Sequence, residues 1–405
     1  MKYVVFLGDG MADYPFDGLS GKTPLETAKK PHMDQIAQNG VLGLVKTIDD
    51  ALSPGSDVAN LSVLGYDPMV YYTGRSPLEA LSIGVPLSDT DVTFRANLVT
   101  LSGEENYADK TMVDYSSGEI TTQESGELIA FLQDKLHFDR LSLYKGISYR
   151  HLLVWDGGST QVTLTPPHDI SDRKITDYLP QGDGADTLLE IMEESHKLLK
   201  NHPVNLARME RGLNPANSLW IWGEGRRPAL DSFEKKYGVR GSMISAVDLL
   251  KGIGKGSGMN VVEVEGATGN IDTNFDGKAQ AAIRELQSGQ DFVYIHVEAP
   301  DECGHHGDAE GKVKSIELID EKIIAPVMEY LDSCGEDFRV LLTPDHPTPL
   351  TIKTHARDAV PFAIFDSRAD GEGLGLAYNE KNAKETGVFL DKGYYLMQYL
   401  LHGEL

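Results

Sequence analysis

The chain has 405 residues, 40% of them hydrophobic and 24% charged, and a formal net charge of −25. Such a composition belongs to a soluble globular protein with room for one large domain or two of ordinary size, and its acidity argues against a nucleic-acid partner, which asks for a basic surface. Two cysteines, Cys303 and Cys334, make neither a disulfide framework nor a zinc ribbon. No apolar run is long enough to span a bilayer and no charged leader precedes the first strand, so the expected location is cytoplasmic, without membrane contact.

Residues 3–7 read as a first strand, followed by a Gly/Asp/Pro-rich loop over 8–21. Met33, Ile36 and Ala37 stand at helical spacing in a helix that Gly40 ends. Residues 41–47 read as a strand, and 58–65 (V-A-N-L-S-V-L-G) as a helix stopped by Gly65. This β-α-β-α alternation is that of a doubly wound sheet. Between residues 75 and 90 the texture changes. Strands are expected at 91–100, 151–155 and 161–165, with helices at 122–135 and 184–201. The second helix carries Leu188, Leu189, Met192, His196 and Leu199 on one face, with His196 read as a helix-surface histidine and not a ligand.

The alternation resumes with strands at 218–222, 241–245, 260–264, 292–297 and 340–342, and helices at 278–288 and 312–332. The expected fold class is α/β: a discontinuous core of residues 1–80 and 240–405 around a doubly wound, mainly parallel sheet, interrupted by an α+β insert over 81–239. The insert is expected to serve as a substrate-binding or lid domain.

Chemistry-bearing residues collect just past the carboxyl ends of the apolar strands, the edge where open α/β sheets place their sites. Asp9 follows the first strand, Asp301 and either His305 or His306 follow 292–297, Asp345 and His346 follow 340–342, and His355 lies nine residues on. Three Asp and three His suffice for two divalent cations, which suit in-line phosphoryl transfer. Oxygen and imidazole donors without thiolate point to manganese or magnesium, with zinc as an alternative. Cys303, inside this motif, reads as a small buried residue. Ser56, in the turn P-G-S-D before a helix, is either an N-cap or a nucleophile beside free helix-start amides. Arg95, Arg150, His151, His168 and Arg226 are the insert's candidates for holding an anionic substrate.

The segments F-L-G-D-G-M-A-D, G-K-T-P-L-E-T-A-K-K-P-H-M-D, P-G-S-D-V-A-N-L-S-V-L-G-Y-D-P, A-P-D-E-C-G-H-H-G-D, T-P-D-H-P-T-P and K-T-H-A-R-D-A-V-P-F resemble those of archaeal-type cofactor-independent phosphoglycerate mutases, of the alkaline phosphatase superfamily. The resemblance runs along essentially the whole chain. It implies an alkaline-phosphatase-like core and two metal ions, one among Asp9, Ser56, Asp345 and His346, the other among Asp301, His305 and His355. It also implies interconversion of 3- and 2-phosphoglycerate through phospho-Ser56, without bisphosphoglycerate. Arg95 and Arg150 are the insert arginines it favours. Relatives of this kind also suggest a homoserine-kinase-like phosphotransferase or a phosphatase. An ammonium-bearing acceptor would want an insert carboxylate, for which Asp114, Glu119, Glu124 and Asp169 stand available.

Overall fold

Runs such as F-V-Y-I-H-V and V-L-L lack polar alternation, so a strand made of them needs both faces covered, as in a parallel α/β sheet. In the computed structural model, which describes residues 1–369 and 373–403, these runs form the centre of an eight-stranded sheet. Its order is Asn260–Val262, Gly241–Ile244, Phe292–Val297, Lys2–Gly8, Phe338–Thr343, Val360–Asp366, Val41–Val45 and Phe389–Leu390. Strand Val360–Asp366 runs antiparallel to both neighbours; the other pairings are parallel. Gly8 pairs with Val297 and Leu7 with Thr343, so three central strands end level with one another. That register delivers the chain after each strand to a single edge. Helices on the sheet bury Met33, Ile36, Ala282, Ile316, Ile323 and Val327 against Val4, Phe6, Val293 and Val340.

The described chain divides into two units, Met1–Tyr72 with Ala229–Leu405 and Thr73–Pro228. The division falls before helix Arg75–Ser82 because that helix packs on strands of the second unit, with Ser76 Oγ bonded to the Thr93 hydroxyl at 2.8 Å. It falls ahead of Phe233 because that ring packs on Phe292 of the core sheet, 4.8 Å between centroids. The second unit is built on Asp91–Leu101, an eleven-residue strand with antiparallel neighbours Arg150–Asp156 and Ser218–Arg226. Leu141–Tyr144 forms one edge, and Met112–Asp114 pairs with the far end of the long strand. Helices Thr122–Lys135 and Ala185–Leu199 cover one face, placing Leu128, Leu132, Leu188 and Met192 with Phe94, Leu98 and Trp220.

Two expected elements and one expected side chain differ. The helix expected at 312–332 is Ala309–Ile319, a π turn Asp320–Ile324 and Ala325–Ser333. Pro326 has no N–H to donate back one turn and its ring crowds that carbonyl, so the ladder widens there. The strand expected at 161–165 is only Val162–Thr163, in a two-stranded ribbon with Gln181–Gly182. His196 is half-buried; its Nδ1 lies 2.8 Å from the Asn217 carbonyl and its ring packs on Tyr107.

Candidate active site

Each chemistry-bearing side chain sits where a strand stops. Asp9 follows Lys2–Gly8, and its N–H donates to the Val297 carbonyl at 2.9 Å, lashing two strand ends together. Gly10 then turns with φ +60, and a Cβ there would lie 2.5 Å from Asp301 Oδ1 and 2.6 Å from Thr348 Oγ1. Only glycine lets this turn press so closely on its neighbours. Asp345 and His346 follow Phe338–Thr343. Asp301 and His305 stand one turn apart on helix Ala299–His306, so both point the same way. His306 is exposed and bonds its own helix, through the Glu302 carbonyl.

The six residues converge. His346 Nε2 is 3.5 Å from both Asp9 Oδ1 and Asp345 Oδ2, one group whose geometry could hold a metal ion. Asp301, His346 and His355 form a second such group, sharing His346. His305 Nε2 lies 3.2 Å from Asp301 Oδ2 and 3.0 Å from His355 Nε2. The imidazoles are held from behind: His305 Nδ1 meets the Lys353 carbonyl at 3.0 Å and His355 Nδ1 the Pro54 carbonyl at 3.4 Å. A carbonyl can only accept, so each ring carries its proton on Nδ1 and turns Nε2 inward, the tautomer a metal ligand needs. Arg357 and Asp358, just past His355 in the chain, bond the Leu52 carbonyl and the Tyr14 hydroxyl and not the His355 ring.

Charge makes the arrangement costly without a cation. Burial, Asp345 and Asp301 push the Asp9 carboxyl well above its ordinary range. Asp9 Oδ1 is buried with no hydrogen-bond partner and faces His346. Buried polar atoms in folded proteins are nearly always satisfied, and an orphan oxygen among carboxylates and imidazoles fits a divalent cation. Burial would raise Asp301 as well, but its contacts with His305 and His355 hold it well below the usual carboxylate range when those rings carry a proton on Nε2. The Asp301 bond in turn pushes His305 up to about 9, so a cation and a proton compete for the same Nε2.

Ser56 is the first residue of helix Ser56–Val63, whose N-cap is Gly55 in extended conformation, without a side-chain cap bond. The serine is therefore not the cap. Its Oγ lies 3.1 Å from His346 Nε2, inside the carboxylate–imidazole cluster, with helix-start amides beside it. Asn60, one turn on, ties this helix to the cluster: Nδ2 donates to the Ser56 carbonyl and to Asp345 Oδ2, both at 2.8 Å, while Tyr294 donates to its Oδ1 at 2.6 Å.

A model of the 2,3-bisphosphoglycerate-independent phosphoglycerate mutases matches residues 37–205. A probable enzyme of that name from Geobacter sulfurreducens is 49% identical over 99% of this chain and 100% of its own. The chain belongs to this family. A mutase of the same name from Methanosarcina barkeri is 50% identical over 97% of each chain. Among solved structures, a Pyrococcus horikoshii protein superposes with TM-score 0.82 at 29% identity, covering 98% of this chain and 96% of its own. The cofactor-independent phosphoglycerate mutase of Thermoplasma acidophilum gives 0.68 at 27% identity over 99% of both chains.

The second unit of this family member gathers some of the expected substrate residues and separates others. The Arg95 guanidinium carbon lies over Trp222, 4.4 Å from the ring centre, and the group is paired with Glu79 at 3.1 Å. His168 packs edge-on against Trp222 and Tyr115, Tyr115 against Tyr149, and Arg150 over Tyr149 at 5.1 Å. Burial, with Arg75 and Arg150 nearby, lowers the Arg95 guanidinium from its ordinary value, and Glu79 offsets part of that shift. His151 does not join this surface. It follows Arg150 on the same strand and so faces the opposite side, buried, with Nδ1 accepting from Gly146 N–H and burial lowering it to about 3. Arg226 pairs with Val92, toward the other end of the long strand, and bonds the Gly158 carbonyl. Trp222, Tyr115 and Tyr149 escaped the sequence reading, because neither the strand that holds Trp222 nor the turns that hold the two tyrosines carry a pattern separating surface from core. His296 escaped too. Its Nε2 is 2.9 Å from Asp9 Oδ2 and its Nδ1 3.1 Å from Ser245 Oγ, yet it reads as one more residue of an apolar strand.

Proposed function

We propose that this protein is a 2,3-bisphosphoglycerate-independent phosphoglycerate mutase, interconverting 3- and 2-phosphoglycerate through a phosphoserine on Ser56. The observation that carries the reading is Ser56 Oγ, 3.1 Å from His346 Nε2 at an uncapped helix start. Two divalent cations, manganese first among them, would be held by Asp9, Asp345 and His346 and by Asp301, His305 and His355, with Ser56 beside the first. When bound they neutralise the transferring oxygens and the serine oxyanion. Ser56 Oγ attacks the phosphorus in line as the P–O bond to glycerate breaks, the serine proton ends on the departing glycerate oxygen, and the helix-start amides receive the phosphoryl oxygens. The glycerate turns, and its other hydroxyl takes the phosphoryl group back, freeing Ser56.

In the second unit Arg95, Arg150 and His168 form a cationic and aromatic surface suited to a carboxylate. An ammonium acceptor finds less there: Glu124 is already bound by Arg208 and Arg211, and Asp114 by Asn214 and by the Ser116 and Gly118 amides. The test is an enolase-coupled assay from 3-phosphoglycerate, with manganese and without bisphosphoglycerate. Turnover that disappears in Ser56→Ala is expected. A manganese-loaded protein with no turnover would overturn the mutase reading.

A further inference from the structure

Lys312 is a fully buried cation that the proposed reaction does not use. It rises from helix Ala309–Ile319, and its Nζ donates to Asp13 Oδ2 at 2.7 Å, to the Thr348 carbonyl at 2.8 Å and to the Ala12 carbonyl at 3.3 Å. Asp13 accepts from the Leu350 N–H at 3.2 Å, so one ion pair binds the loop after the first strand to the loop that carries Asp345 and His346. Gly304 sits against Thr348 from the other side, where a Cβ would collide with the Thr348 carbonyl. Thr348 is thus fixed through its backbone, and its hydroxyl is free for other work.

That hydroxyl donates to Asp301 Oδ1 and lies 3.3 Å from His346 Nδ1. Having given its only proton to Asp301, Thr348 Oγ1 can only accept from His346, which puts the imidazole proton on Nδ1 and leaves the Nε2 lone pair facing Asp9, Asp345 and Ser56. The same contact fixes the Asp301 carboxylate, with Oδ2 turned to His305 and Oδ1 to His355. We propose that Thr348 is a positioning residue that sets the ligand faces of Asp301 and His346 together, through one hydroxyl held in place by Lys312. The proposal rests on the two-metal reading above. Residues behind metal ligands change affinity by roughly 10- to 100-fold when removed.

The test is calorimetric titration of manganese into chelator-treated wild type, Thr348→Val and Thr348→Ser. Valine keeps the shape and the backbone clamp and removes the hydroxyl; serine keeps the hydroxyl. Thr348→Val is expected to bind manganese about 10- to 100-fold more weakly, with serine restoring the wild-type constant and the melting temperature before metal addition unchanged. Wild-type affinity in Thr348→Val would overturn the proposal and leave the metal reading intact. Equal loss in valine and serine, with a lowered melting temperature, would reduce Thr348 to a packing role and overturn it as well. Failure of the wild type to bind manganese would overturn the metal reading itself. Should the valine variant not fold, Thr348→Ala against Thr348→Ser reads the same comparison.

Discussion

Ser56 occupies a position where two demands meet. The helix it opens needs no capping hydroxyl from it, since Gly55 fills the N-cap position, and the oxygen is left among Asp9, Asp345 and His346. Ser56→Ala therefore removes a nucleophile without removing a structural bond other than that to His346. Turnover should fall by about 10³-fold or more while manganese affinity changes little; steady-state assays beside calorimetry check both. Arg150 makes a different prediction. It is exposed and stacked on Tyr149, so Arg150→Ala should leave the melting temperature within about 1 °C and raise KM more than it lowers kcat. At this scale the sequence reveals residues whose presence just past a strand end has few structural reasons, such as Asp9, Asp301, Asp345 and His346. It hides His296, Asn60 and Thr348, whose meaning lies entirely in what they touch. Arg150 and His151 look alike in the sequence but part in the fold: neighbours on a strand face opposite ways, so the two do not line one surface.

Elements were legible where periodicity and punctuation agree. The strands 292–297 and 241–245 are found within a residue or so, because an uninterrupted apolar run has no other good use in an α/β core. The break at Asp320–Ile324 was not, since the sequence stays helical on both sides and the widening answers to Pro326 and to Asp320, which is buried while accepting the Met33 N–H at 2.7 Å. Helix Glu380–Glu385 supplies a pH prediction. Its first residue, Glu380, accepts the Asp13 N–H at 3.0 Å and the Thr23 hydroxyl at 2.8 Å, tying three segments together, and burial pushes its carboxyl up to about 7. Because the folded value exceeds the ordinary 4.5, ionisation in the folded state costs stability that is absent in acid and grows as pH rises from about 4.5 through 7. Glu380→Gln should lack that slope and gain up to about 3 kcal/mol relative to wild type at pH 8, with no gain at pH 4.5. Chemical denaturation at the two pH values checks it; a constant difference would mean that Glu380 ionises normally.

For the molecule as a whole, the same sheet edge that assembles the site concentrates negative charge in a chain already at −25. Asp9, Asp301 and Asp345 are brought together by three parallel strands ending in register, and the packing of the core fixes them there whether or not a cation balances them. Folding and metal binding are then coupled: a cation that binds only the folded site adds RT ln(1 + [L]/Kd), about 2.7 kcal/mol per site at one hundred times Kd. Stripping metal with a chelator should lower the melting temperature by several degrees, and returning manganese should restore it. Ser56→Ala should keep this response because it retains all six carboxylate and imidazole ligands. Asp345→Asn should lose part of the response, since the amide removes one charge from the group shared with Asp9 and His346. Its chelated form should melt above the chelated wild type, because the repulsion that raises Asp9 is then reduced. Differential scanning calorimetry on the three proteins, with and without manganese, decides the matter. A wild type whose melting temperature ignores both chelator and manganese would mean that the edge does not bind the ions its geometry suits.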